Sequence, residues 1–318
     1  MNTISNSNFT LAFYNLENLF DITNDPDTHD EDFTPEGRNK WNAKRYDRKI
    51  KKLGSVISKI GVVETGMPPL IVGVAEVENL KVLTDLVNTK YMSEHHYGIV
   101  HYDSQDERGI DVALLYQKEH FELLDSEVFP LIFIDEHGEK DFSRDIVLVK
   151  GNLKGELTYF IVNHWPSRRK GTEETQPKRI QAAALAHRAV AKIYEETPNA
   201  NIIIMGDFND NPNSPSIKQH LVSEDFYNPF ESIYYKGKGT ATHNNEWYLF
   251  DQIILSKNYF NDQNRIRYMN AAIFEEQFLK SWKGKRKGDP FRTYIGKWHQ
   301  GGISDHFPVY TVLEKRVY

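Results

Sequence analysis

Apolar runs in this sequence repeatedly stop at residues that bind metal or move protons. FYNLEN offers Asn15 and Glu17, VGVAEVEN offers Glu76, and IVNHW offers Asn163 and His164. IIIMGDFND offers Asp207 and Asn209, LFD ends on Asp251, and GGISDHFP sets Asp305 and His306 just ahead of a last apolar run. Each has an ordinary structural explanation. Glu76 can be the polar stop of a strand, Asn15 can satisfy loop backbone, and His164 can be a packed histidine beside Trp165. Asp207 and Asn209 favour Asx turns, and Asp305 suits a helix N-cap. Their joint appearance at strand ends is what calls for chemistry, because α/β sheets place their sites at the rim where such ends gather.

The chemistry that fits is hydrolysis of a phosphodiester or related phosphate ester. Mg²⁺ takes oxygen ligands and keeps several waters, so one or two carboxylates suffice, and Mn²⁺ or Ca²⁺ are the other options. Glu76 and Asp305 supply carboxylates, with Asn15 as a neutral oxygen. His306 suits the general base that takes a proton from a water attacking in line, since its ordinary pKa lies near neutrality. Asp251 is placed to orient His306 through the other ring nitrogen. Asp207 and Asn209 would aim the water and hold a phosphate oxygen, and His164 would donate to the developing charge. Asp111 is a candidate to orient His164, with a salt bridge to a nearby arginine as the alternative.

These residues need strands to carry them. The apolar patterning predicts strands over 9–16, 68–79, 96–102, 111–117, 145–153, 157–165, 201–205, 249–256 and 304–313. Helices are predicted over 48–61, 80–88 and 177–197, the last with Pro177 at its start and rich in alanine. Residues 21–47 read as a loop and 257–302 as irregular. Strands and helices interleave without repeat or linker, which predicts one α/β domain over 1–318. Within GDFND, Gly206 would permit a sharp turn at the rim, Phe208 would turn to the core, and Asp210 would lie away from substrate.

The bulk numbers narrow the function. With 318 residues and 39% hydrophobic content, the chain can bury a large core. A net charge of -6 disfavours indiscriminate nucleic-acid binding, which usually rests on a basic surface. The absence of cysteine excludes disulfides, thiolate catalysis and cysteine-ligated zinc. No transmembrane segment and no signal peptide are visible. The compartment stays open: cytoplasmic, or secreted or periplasmic had a leader been removed.

GDFND, SDHFP, the early NLEN and the strand-end Glu76, in this order, resemble the endonuclease/exonuclease/phosphatase superfamily, the deoxyribonuclease I-like hydrolases. The likeness runs from residue 9 to 313. It implies a four-layer α/β/β/α sandwich (class α/β or α+β): two packed mixed sheets flanked by helices, with a divalent-metal phosphoesterase site at one end. By the same resemblance Glu76 and Asn15 look like the metal residues and Asp207 and Asn209 like the water- and phosphate-orienting pair. Asp251 and His306 look like the Asp–His pair, and Asp305 like the adjacent metal-site residue. Many members carry Gln before the metal Glu and Tyr or Arg before the Asp of the pair, where this chain has Ala75 and Phe250. EVEN, ERGIDVALLY, VNHWPSRRKG and GDFNDNP look similar to a bacterial branch labelled only as family hydrolases or endonucleases.

The substrate is a phosphate ester, with nucleic acid one option and a small-molecule, sugar or lipid phosphate the other. Arg108, Arg144, Arg168, Arg169 and Lys170 are candidates to hold it, since guanidinium forks bind phosphate bidentately. Trp165 and Trp247 can stack on a base or sugar, or pack internally. KGKRKG at 283–288 reads as a solvated basic loop. An inactive binding protein on the same fold is opposed by the filled catalytic positions. A dimetal phosphatase of another architecture would need more GD- and GNH-type motifs. No protein partner is predicted.

Overall fold

A computed structural model describes residues 8–135, 137–169 and 171–316. Twelve strands build its two main sheets: β1 (Asn8–Leu19), β2 (Ile71–Val77), β3 (Tyr97–His101), β4 (Asp111–Gln117), β5 (Phe121–Phe129), β6 (Ile146–Leu153), β7 (Glu156–His164), β8 (Asn201–Asp207), β9 (Phe226–Tyr227), β10 (Asp251–Ser256), β11 (Ile266–Ile273) and β12 (Val309–Lys315). One sheet has the order β11-β12-β1-β2-β4-β3 and the other β9-β10-β8-β7-β6-β5. Each contains one parallel pair at its centre, β1–β2 and β7–β8, among antiparallel neighbours.

The central strands are apolar without interruption because both of their faces are covered. Along β1, Phe9, Leu11 and Phe13 enter the core between the sheets, while Ala12, Tyr14 and Leu16 face the opposite side. There they meet Leu53 and Ile57 of the helix Ala43–Ile57 and Leu83 and Leu86 of the helix Leu80–Val87. Along β8, Ile203 and Met205 enter the shared core, and Ile202 and Ile204 pack on Ala182, Ala186 and Ala189 of the helix Thr172–Glu196. The result is the four-layer α/β/β/α sandwich.

Several sequence expectations change. The long helix starts at Thr172, five residues before Pro177, so the proline lies inside it. The helix predicted over 48–61 runs over Ala43–Ile57, capped by the Asn42 side chain on the Arg45 amide. Strands β5 and β11 fall where none was predicted. Gly206 makes no turn: it lies in β8 without a positive φ. A Cβ there would sit 2.4 Å from the Asn163 carbonyl oxygen, so the glycine serves the close approach of β7. The left-handed residue that turns the chain is Asn209, at φ 49°.

Candidate active site

The carboxyl ends of the two parallel pairs meet at one rim. Asn15, the last residue of β1 in register with β2 before the slip, donates from Nδ2 to Asp207 Oδ2 at the end of β8, 3.0 Å away. His164 ends β7 and places Nε2 3.8 Å from Asp207 Oδ2 and 3.9 Å from Glu76 Oε1. Asp251 opens β10 directly opposite Asp207 in the ladder. His306 arrives on the segment before β12, its Nδ1 donating to Asp251 Oδ2 at 2.7 Å and its Nε2 facing Asp207 Oδ2 at 3.9 Å. Ser304 fixes that segment by donating to the Asn15 carbonyl at 2.7 Å and accepting the His306 amide at 3.0 Å.

Local backbone irregularity aims two of the acids. Glu76 has φ 61° at a break in register between Ala75 and Val77, and its Oε2 accepts the Asn18 amide at 2.8 Å. A bulge of this kind re-aims a side chain that a regular strand would send to a sheet face. Glu17 and Asn18 are also left-handed, where β1 loses register with β2. After β8, Asn209 donates its amide to Asp207 Oδ1 and its Nδ2 to the Trp165 carbonyl, both at 2.9 Å. The Asx turn and the convergence on the site are therefore the same feature. Phe208 does turn inward, edge-on to Trp165 at 4.8 Å.

Carboxylates dominate the electrostatics. Burial pushes Asp207 up to about 7, opposed by the nearby His306 and reinforced by Asp251. Glu17 is pushed up to about 7 by burial and by Asp305, although Lys49 is near. Burial alone would lower His306, but Asp251 and Asp207 hold it well above the usual histidine range. Burial keeps His164 well below that range, with Arg144 and Arg108 adding to the effect.

A hard divalent cation fits this set of donors. Glu76, Asp207, Asp251 and Asp305 offer oxygens, and Asp251 Oδ1 is buried without a hydrogen-bond donor. Asn15 Oδ1 accepts the Glu17 amide at 2.9 Å and keeps a second lone pair. Asp207, Asp251 and His306 each bring a ligand atom within 4.8 Å of the others. Asp305 Oδ2 is 3.3 Å from Arg292 Nη2, a partner that sequence reasoning missed. Arg292 sits in the 257–302 stretch read as irregular, where no periodic signal pointed to it.

The residues expected to hold substrate are placed differently from one another. Trp165 is fully buried and donates to Asn163 Oδ1 at 3.1 Å, so it has no face for a base or sugar. Trp247 is 38% exposed and stacks on Phe307, next to His306. Arg144 is also buried, committed to Asp106 at 3.1 Å and to the Trp165 carbonyl at 2.8 Å, which corrects its reading as a phosphate ligand. Arg168 clasps the GDFND loop through the Asn209 carbonyl at 2.7 Å and through Asp210. Arg179, buried in the long helix, binds the other Asp210 oxygen at 2.6 Å, so Asp210 anchors this loop. Arg108 reaches Asn18 Oδ1 at 2.8 Å on the site's edge. Asp111 is not the partner of His164: its carboxylate accepts the Ser104 amide at 3.0 Å and lies 3.5 Å from His101. Lys170 lies outside the described residues.

A family model for the endonuclease/exonuclease/phosphatase family matches residues 10–315, nearly the whole chain. The chain belongs to that family. Endonuclease/exonuclease/phosphatase members are metal-dependent phosphoesterases, and hydrolysis of a phosphate ester is the reaction class of this chain. No curated protein matches it by sequence. Among solved structures, the humanized zebrafish (D. rerio) TDP2 aligns over 97% of this chain and 100% of its own, with 14% identity and a TM-score of 0.58. A Bacteroides vulgatus endonuclease/exonuclease/phosphatase protein aligns over 97% and 99%, with 17% identity and a TM-score of 0.57. The Bacteroides thetaiotaomicron mannosyl-6-phosphatase aligns over 98% and 100%, with 18% identity and a TM-score of 0.57. At these identities the likeness is one of fold. No helix among the described residues is long and apolar enough to cross a membrane.

Proposed function

We propose that this chain, acting as a single catalytic domain, hydrolyses a phosphodiester by in-line attack of water, with His306 as general base. The carrying observation is the Asp251–His306 pair at 2.7 Å, set with Nε2 toward Asp207 at the rim where β1, β2, β7 and β8 end. Asp251 fixes the His306 tautomer and stabilises the imidazolium. Because, against burial, Asp251 and Asp207 hold the ring well above the usual histidine range, it acts as base in the fraction that has lost its proton, and the rate is expected to rise with pH. Asp207 and Asn209 orient that water. The new bond joins the water oxygen to phosphorus as the bond to the leaving oxygen breaks. His164, uncharged in its buried place, donates to a non-bridging oxygen as charge gathers there. Glu76, Asp305 and Asn15 would hold the cation, Mg²⁺ by ligand type, with Mn²⁺ or Ca²⁺ as substitutes. When bound, that ion polarises the phosphoryl oxygen and stabilises charge on the leaving oxygen.

A second reading is hydrolysis of a small sugar, lipid or other phosphate ester. It is favoured by the internal commitments of Arg144 and Arg168, which leave fewer guanidiniums to track a polyanionic strand. A zebrafish TDP2 structure is complexed with a single-strand DNA product, and another neighbour is a mannosyl-6-phosphatase; the two bracket the choice. The test is hydrolysis of bis-nitrophenyl phosphate with Mg²⁺ or Mn²⁺, stopped by EDTA. It is followed by a panel of plasmid, single-stranded DNA, RNA, phosphoinositide, sphingomyelin and sugar phosphates. Full activity in His306→Ala would refute the base.

A further inference from the structure

A cavity of about 280 Å³ adjoins the rim, between the segment around Phe33–Trp41 and the turn at Thr293–Gly296. Its inner lining includes Glu17, Lys49 and Thr293, all buried, and Arg38 lies at its exposed end. The cavity shares backbone with the catalytic residues. Glu17 follows Asn15 by two positions, Asn18 gives its amide to Glu76, and Arg292, next to Thr293, reaches Asp305. The left-handed turns at Glu17 and Asn18 face this cavity. Such strain persists where surrounding structure enforces it, commonly at ligand sites.

The lining selects among ligands. Acids (Glu17, Asp32), cations (Arg38, Lys49) and carboxamides (Asn18, Asn39) stand side by side. The two carboxylates oppose a second phosphate, and the polar lining opposes an acyl chain. A planar base wants parallel rings, but Phe33 meets Trp41 at 79° and Tyr294 at 87°. Hydroxyl groups fit, because each both donates and accepts. We propose that this cavity takes the hydroxyl-rich part of the substrate, a sugar or cyclic polyol esterified to the scissile phosphate. The proposal rests on the phosphoesterase reading above and assigns the group that lies beside its phosphorus.

The test compares Mg²⁺-dependent hydrolysis of myo-inositol 1-phosphate, glucose 6-phosphate, ribose 5-phosphate and glycerophosphoinositol with that of bis-nitrophenyl phosphate, which carries no polyol. At least one polyol ester is expected to exceed it in kcat/KM by about tenfold or more. The double variant Arg38→Ala/Asn39→Ala removes two polar side chains near the mouth. It is expected to raise KM for that ester by about tenfold, with bis-nitrophenyl phosphate hydrolysis unchanged. Turnover of bis-nitrophenyl phosphate with no polyol ester preferred would overturn the cavity assignment. So would a preferred polyol ester whose KM the double variant leaves alone. Hydrolysis of none of these esters, bis-nitrophenyl phosphate included, would instead overturn the phosphodiester reading proposed above, and the assignment with it.

Discussion

The two parallel strand pairs deliver catalytic groups to the same rim by opposite means. β7 and β8 stay in register from Thr158↔Asn201 to His164↔Asp207, so His164 and Asp207 arrive on regular strand ends. β1 and β2 stay in register only to Asn15↔Ala75 and then slip before Leu19↔Val77. Past the slip, Glu17, Asn18 and Glu76 have φ values of 52°, 51° and 61°. A regular strand can send a side chain to only two faces. The second sheet needs no more than that, because His164, Asp207 and Asp251 lie side by side at the same level of its ladder. In the first sheet, the bulge turns Glu76 across the rim, and the neighbouring turn at Glu17 and Asn18 borders the side cavity. Regularity gives precision, and irregularity gives a direction that the pleat does not offer.

If both means serve one reaction, their loss should look alike in kinetics. Asp207→Ala, on the regular pair, and His306→Ala, on the segment that leads into β12 of the first sheet, are each expected to lower kcat/KM by ~100- to 10,000-fold. Glu76→Ala, on the bulged pair, is expected to fall in the same range, and EDTA should abolish wild-type activity. A mild effect of Glu76→Ala beside a severe effect of Asp207→Ala would mean that the bulged pair adds little to catalysis. Asp251→Asn keeps the shape but weakens the hold on the His306 tautomer. Its expected loss is of similar size and should lie in kcat, with KM little changed. Steady-state rates on bis-nitrophenyl phosphate provide the comparison.

The same contrast explains what was legible in the sequence. Strands buried on both faces, such as NIIIM and LTYFIVNHW, carry long apolar runs, and their polar ends mark the rim. The edge strands β5 and β11 were illegible: FELLDSEVF exposes four consecutive residues after Phe121, and IRYMNAAI buries only Ile266. Their pairing comes from a neighbour's free edge rather than from their own pattern. Trp165 and Arg144 failed as substrate ligands because residue type gives no burial: each completes the internal support of the GDFND loop. Asp111 failed as the partner of His164 because its contacts follow the β3–β4 hairpin, where His101 is its neighbour. Lys49 and Thr293, 244 positions apart and bonded at 2.8 Å, carry no joint sequence signal at all.

Stability should separate the two pairs where catalysis does not. Gly206 lets β7 and β8 stay close, and its added Cβ would meet backbone, which cannot rotate away. Gly206→Ala is expected to cost about 1–3 kcal/mol of unfolding free energy, with or without Mg²⁺. Denaturant titration in EDTA and in Mg²⁺ measures both values, and an unchanged midpoint would mean that the regular pair tolerates separation.

Glu76→Gly should act in the opposite direction, and by less. Glycine accepts φ 61° without the strain that a glutamate pays, a relief of about 1 kcal/mol. The substitution also removes one carboxylate from a rim already crowded with Asp207, Asp251 and Asp305. Against this stand the bond to the Asn18 amide, which water can replace in part, and the extra freedom of glycine in the unfolded chain. The net change in EDTA is therefore expected within about 1 kcal/mol of wild type, on the stabilising side. In Mg²⁺ the order should reverse, because the wild type gains the binding energy of an ion that the variant holds poorly. Midpoints that fall equally in both conditions would mean that Glu76 supports the bulge itself, and that the carboxylate was placed there for the fold rather than for the cation.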